Sequence, residues 1–274
     1  MSAEAEPTVT AHPPLLGQGL AGAALAGALL GLEALGQWPL LAGVVVAQVL
    51  LAMGVLALLE APAARGVLLL SAAAAVSADV VIAVDDGSIE ALSGVLGLTL
   101  VAGLLHQLVR RDRQRVVESL AATLVIAGLV CMMATLTATP EQAEGPWPLR
   151  IALAAAGLTL LAGRLGDRFL PRPGIATTAT RSWPGLGLGL VAGVLTAVLV
   201  NSGHLAATRA ALIGLVAVSV VAGIDLALDL AATELSPSTE PARRIAALRP
   251  VSVLLPFAAL APVVLLVMRL LSES

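Results

Sequence analysis

Nine separate stretches of this chain are long and apolar enough to cross a bilayer. A transmembrane helix needs roughly 20 predominantly apolar residues to span about 30 Å of hydrocarbon. Runs of about that length cover 15–36, 39–59, 66–84, 88–109, 116–138, 148–163, 185–203, 209–232 and 250–271. The sixth is short, and the first is glycine-rich and carries Glu33. With 58% hydrophobic and 12% charged residues and a mean hydropathy of +0.98, the chain is excluded from the water-soluble globular class. The expected fold is all-α: a polytopic bundle of about nine spans, a single membrane domain over 15–274 preceded by a polar tail over 1–14. That tail holds Pro7, Pro13 and Pro14 but no Lys or Arg, so the first run lacks the basic flank of a signal peptide and is expected to be retained.

The basic residues orient this bundle. All 15 are arginine. Nine spans produce two alternating sets of loops. Arg65, the group from Arg110 to Arg115, the group from Arg164 to Arg181, and Arg243, Arg244 and Arg249 fall on the side of the N-terminus, leaving Arg150, Arg209 and Arg269 opposite. Short basic loops stay cytoplasmic, so the N-terminus is expected inside and the C-terminus outside, in a bacterial inner membrane. Trp38, Trp147 and Trp183 each sit beside a span start, at headgroup level. The lone Cys131 excludes an intrachain disulfide, and a net charge of −3 gives no reason to expect nucleic acid.

An ionisable side chain at membrane depth costs roughly 2.5–3.5 kcal/mol on insertion scales, so each one needs a reason. Asp225 and Asp229 are four apart on the eighth span and share a helix face. They could hold a divalent cation of the magnesium type, or lie in a frayed helix end, solvated or paired with Arg243 or Arg244. Asp79, on the third span, is either the coupling site of a small-solute or ion transporter or a buried acid paired with a donor. Glu33, Asp85, Asp86 and Glu90 flank span ends and are read as solvated, and His106 as a polar interfacial residue. The segment from Gly163 to Gly185 reads as a loop whose arginines and hydroxyls either contact phosphate or merely enforce topology. Glycines from Gly17 to Gly31, and Gly185, Gly187, Gly189 and Gly193, permit close helix packing within one chain or between two.

Thr178-Ala-Thr-Arg-Ser-Trp-Pro-Gly185 resembles the Ser-Pro-Lys-Lys-Ser/Thr-Trp-Glu-Gly segment of phosphatidate cytidylyltransferases, the CDP-diacylglycerol synthases. Leu165-Gly-Asp-Arg168 is similar to the Phe-Gly-Lys-His-like stretch ahead of it, Gly223-Ile-Asp-Leu-Ala-Leu-Asp229 to the later Leu-Gly-Asp-Leu-x-Glu-Ser, and Glu118-Ser-Leu-Ala-Ala-Thr-Leu124 to a helix start after a basic loop. The likeness runs in order along the chain and is better from about 116 to 271. It implies a magnesium-dependent transfer in which the phosphate of phosphatidate attacks the α-phosphorus of CTP. It also implies phosphate or lipid contacts at Arg164, Arg168, Arg181, Ser182 and Trp183, and metal contacts at Asp225 and Asp229. Thr180, Pro184 and Leu228 replace a lysine, a glutamate and an acid of the pattern. The sixth run holds no acid over 151–163, no His follows His204, and no acid lies between Glu240 and Glu273. The expectation is therefore a catalytically degenerate relative with no assignable catalytic residue, binding phosphatidate, another anionic phospholipid or a membrane protein partner, with a homodimer open. Two alternatives stand beside it: a divergent active cytidylyltransferase, and a transporter using Asp79.

Overall fold

A computed structural model describes residues 16–60, 64–84, 89–109, 115–142, 145–170, 174–175, 181–234 and 241–272, with 139–142, 233–234, 241–246 and 272 described by backbone alone. The polar tail, Asp85, Asp86 and the side chains of Arg243 and Arg244 lie outside the described residues. The described residues form nine helices: α1 (Leu16–Leu35), α2 (Gln37–Leu59), α3 (Ala64–Val84), α4 (Ala91–Val109), α5 (Val116–Gln142), α6 (Trp147–Phe169), α7 (Trp183–Asn201), α8 (Ala207–Glu234) and α9 (Pro241–Ser272). Each contains a stretch long and apolar enough to span a membrane, and the chain is an all-α, multi-pass membrane protein. Among the described residues, the β-type pairing is an isolated bridge between Gly174 and Ser182.

Local sequence explains the turns. Gly36 is the single residue between α1 and α2, at φ +117°, a conformation that costs a glycine little and other residues much. Asn201 closes the α7–α8 turn by accepting from the Leu205 amide at 2.8 Å and donating to the Leu205 carbonyl at 2.9 Å. Pro148 and Pro184 sit in the first turns of α6 and α7, where no intrahelical N–H is needed.

Two helix groups share one core. α5 packs against α2, α3 and α4, while α6 packs against α1, α7 and α8. α9 bridges them, touching α2, α5, α6 and α8, and its Phe257 is fully buried. α9 carries Pro250, Pro256 and Pro262 within its length, and neighbouring helices make such residues tolerable inside a membrane. Many leucines and valines of α4 and α7, among them Leu98, Leu105, Val191 and Leu199, are exposed, which is where lipid tails belong.

Two elements extend six residues or more beyond their apolar runs. α9 begins at Pro241, nine residues ahead of the run from 250. α6 continues six residues beyond the expected end at 163, so residues 163–169 are helix and not loop. Hydropathy falls at Gly163-Arg-Leu-Gly-Asp-Arg, but the first proline is Pro171, and Arg164 and Asp167 of this last stretch are buried and ion-paired inside the bundle. These added turns put an acid, Asp167, on the sixth helix.

Candidate functional site

The end of α6, the entry to α7 and the C-terminal third of α8 meet at the side where the arginine distribution leads one to expect the cytoplasm. Glycines allow the approach. A side-chain carbon on Gly166 would lie 2.6 Å from the Gly185 Cα, one on Gly189 2.7 Å from the Thr159 carbonyl, and one on Gly163 2.9 Å from an Arg181 nitrogen. Gly19 and Gly22 of α1 press on the other side of α6, against Arg164 and Leu160. Gly17, Gly27, Gly31 and Gly187 face open space, so these four of the expected packing glycines are not used within the described chain.

Inside this contact is a closed set of charges. The Arg181 guanidinium donates to Asp167 Oδ2 at 2.7 Å through one terminal nitrogen and to Asp225 Oδ2 through the other. Arg164 donates to the remaining Asp225 oxygen at 2.6 Å. The Arg181 backbone N–H donates to Asp229 at 3.2 Å. Asp167 Oδ1 accepts from both the amide and the hydroxyl of Ser182, each at 2.9 Å. Arg181 is 1% exposed and Asp225 2%, so water does not compete for these bonds. Burial works against the charge of Arg181, but Asp225 and Asp167 outweigh it and hold the guanidinium above the ordinary arginine range.

Ser182 has a second task. In extended conformation ahead of α7, it is the helix N-cap, its Oγ accepting from the Gly185 N–H at 3.0 Å. The Ile175 amide donates to the Arg181 carbonyl at 3.0 Å and holds the segment from the other side. Ser182→Ala is expected to cost about 0.5–2 kcal/mol, the usual range for a lost cap. Thermal melting of the purified protein would read this, and a variant as stable as the wild type would show that the cap carries no weight.

The site residues expected from sequence therefore divide. Arg164, Arg181, Ser182, Asp225 and Asp229 come together and are buried. Arg168 and Trp183 lie one residue further along from Asp167 and Ser182 and are exposed, with Phe169 and Leu170 exposed next to Arg168. Arg164 and Arg181 each donate to a carboxylate within the fold. Asp225 is paired with these two arginines rather than left solvated. Asp167 falls within the Leu165-Gly-Asp-Arg168 resemblance but carries no site role in the sequence, where the apolar run of the sixth span ends at 163. Its position three residues after Arg164, with no breaker between, was the signal that could have found it.

A resident magnesium ion does not suit this donor set. Both Asp225 oxygens already accept from guanidinium groups. Among the described residues, no group of three or more His, Cys, Asp or Glu side chains is arranged to hold a metal.

Other polar groups lie away from this site. Glu33, expected to be solvated, is nearly buried and takes two bonds from Arg150, at 2.7 and 3.1 Å, tying α1 to α6. Arg150 also lies 5.0 Å above the Trp147 ring, which stacks on His204 at 3.5 Å. Glu90 pairs loosely with Arg269 at the surface, 3.6 Å away. His106 is not simply interfacial, since its Nε2 is buried over Gly66. Asp79 is fully buried, bonded to Gln48 of α2 at 3.3 Å.

No family model, no curated protein and no solved structure matches this chain. The likeness to phosphatidate cytidylyltransferases rests on the motif residues alone.

Proposed function

We propose that this is a bacterial inner-membrane protein on a cytidylyltransferase-like scaffold that has given up cytidylyl transfer and engages anionic phospholipid headgroups at the cytoplasmic end of α6 and α7. One observation carries the reading: the Arg181 guanidinium sits between Asp167 and Asp225, so charges that metal-dependent phosphoryl chemistry would need are neutralised against each other. That chemistry depends on cations and carboxylates aimed at the reacting phosphates, and a guanidinium locked by two acids is not available for them. What is left for a ligand is the outer layer. Exposed Arg168, flanked by exposed Phe169, Leu170 and Trp183, pairs a phosphate-binding fork with apolar and indole groups suited to the interface.

Binding to nanodiscs with and without phosphatidate would test the headgroup role. Phosphatidate is expected to raise the melting temperature, with the rise weakened several-fold in Arg168→Ala; each basic residue near an anionic surface is worth about 1 kcal/mol. Equal melting in neutral and anionic lipid would contradict the proposal.

A second reading, an active divergent transferase, is favoured by Asp167, which supplies the sixth-helix acid that the apolar run alone lacked. It requires Arg181 to leave Asp225 when substrate enters. Production of CDP-diacylglycerol from CTP and phosphatidate, lost in Asp225→Ala, would establish this reading over the first.

A further inference from the structure

The headgroup proposal makes no use of Asp79, among the described residues the one fully buried acid of the first helix group. Asp79 lies on α3 about 8 Å before the end of the helix at Val84, at 1.5 Å per residue, and is 0% exposed. Gln48, on α2, is also 0% exposed and donates twice from its Nε2, to Asp79 Oδ1 at 3.3 Å and to the Val130 carbonyl of α5 at 3.0 Å. Two oxygens then have no partner among the described residues: Asp79 Oδ2 and Gln48 Oε1. Both are acceptors if the acid is ionised. Leaving two acceptors dry costs about 1–3 kcal/mol each, more for a charged one.

One proton removes both deficits. A carboxylic acid and a primary amide form a cyclic pair, in which the amide N–H donates to one carboxyl oxygen and the carboxyl O–H donates to the amide oxygen. Half of that ring is already in place in the Gln48 to Asp79 bond, and the two unpartnered atoms are those that the other half joins. We infer that Asp79 and Gln48 form a buried proton-binding site that closes α2 onto α3 when the acid carries its proton. The described surroundings offer no counter-charge in its place. α5 contributes the buried Cys131 thiol and the Val130 carbonyl. On α4, His106 lies over Gly66, thirteen residues and roughly 20 Å back along α3. A bound cation is the weaker occupant, since hard cations take about six or more oxygens and two side-chain oxygens are unpartnered here.

Loss of the proton would leave two acceptors facing one another between α2 and α3, so release is coupled to loosening of that contact. An asparagine at 79 would complete the same ring without an ionisable group. The acid is the version that can open.

Infrared spectra of the full-length protein labelled with ¹³C-aspartate test this directly. At neutral pH the wild type is expected to show a protonated-carboxyl carbonyl band that is missing in Asp79→Asn and displaced in Gln48→Leu. Asp79→Asn is expected to melt with the wild type, and its melting is expected to lose any dependence on alkaline pH that the wild type has from this site. Absence of the band at neutral pH would overturn the inference. So would a band that disappears on adding sodium, which would make the site a cation site.

Discussion

Replacing Arg181 with alanine is expected to destabilise the protein by about 3–5 kcal/mol, the range for removing one partner of a buried ion pair. The reason is the position of the guanidinium. It is 1% exposed, and it alone of the described cations touches both Asp167 and Asp225. Without it, Asp167 keeps only its bonds from Ser182, and Asp225 only its bond from Arg164. The carboxylates would then recruit another cation or protonate. Magnesium is therefore expected to restore part of the lost melting temperature in Arg181→Ala, because a ligand that binds only the folded state stabilises it. Arg181→Lys should recover less than a charge count suggests, since a lysine cannot bond two carboxylates with the fixed fork of a guanidinium. If Arg181→Ala melts like the wild type, the guanidinium is not what holds α6 to α8.

Gly185→Ala should be nearly as damaging, and for a steric reason. The added carbon would strike the Asp167 carboxylate and come within 2.8 Å of the Asp167 backbone nitrogen. Alanine gains about 0.5–1 kcal/mol over glycine in a helix, but overpacking costs about 1–3 kcal/mol, and here the obstacle includes backbone that cannot rotate away. The collision also displaces the acid that holds Arg181 and Ser182, so the upper end of that range is expected. Gly187→Ala is the control. It lies two residues along the same helix with nothing within 4 Å, and should be neutral or slightly stabilising. Melting curves for the pair would decide: equal losses would mean that helix propensity, and not the α6–α7 contact, governs both.

Much of the architecture could be read from hydropathy because lipid enforces it. A span must be apolar for about 20 residues, so each of the nine apolar runs matches a described helix to within two residues at one end or both. The errors fall where a helix stops being apolar without stopping. The last turns of α6 bury Arg164 and Asp167 against charges from the α7 entry and from α8, and a linear sequence does not display partners 14 or 61 residues away. The first turns of α9 lie outside its apolar run for the same reason: composition changed before the fold did.

The site was legible in part. Reading Asp225 and Asp229 as one face located the α8 contribution, and the 163–185 segment located the others. What could not be read was the pairing, which sets Arg164 and Arg181 against Asp167 and Asp225. Glu33 shows the same limit from the opposite side. It looks like a solvated end residue, and Arg150 reaches it from 117 positions away.

Arg181 occupies the place between Asp167 and Asp225 that a cation would need. Magnesium titration of the wild-type melting temperature, with Asp225→Asn alongside, tests this most directly. The account expects no saturable shift in the wild type. A saturable rise with magnesium that Asp225→Asn abolishes would contradict it.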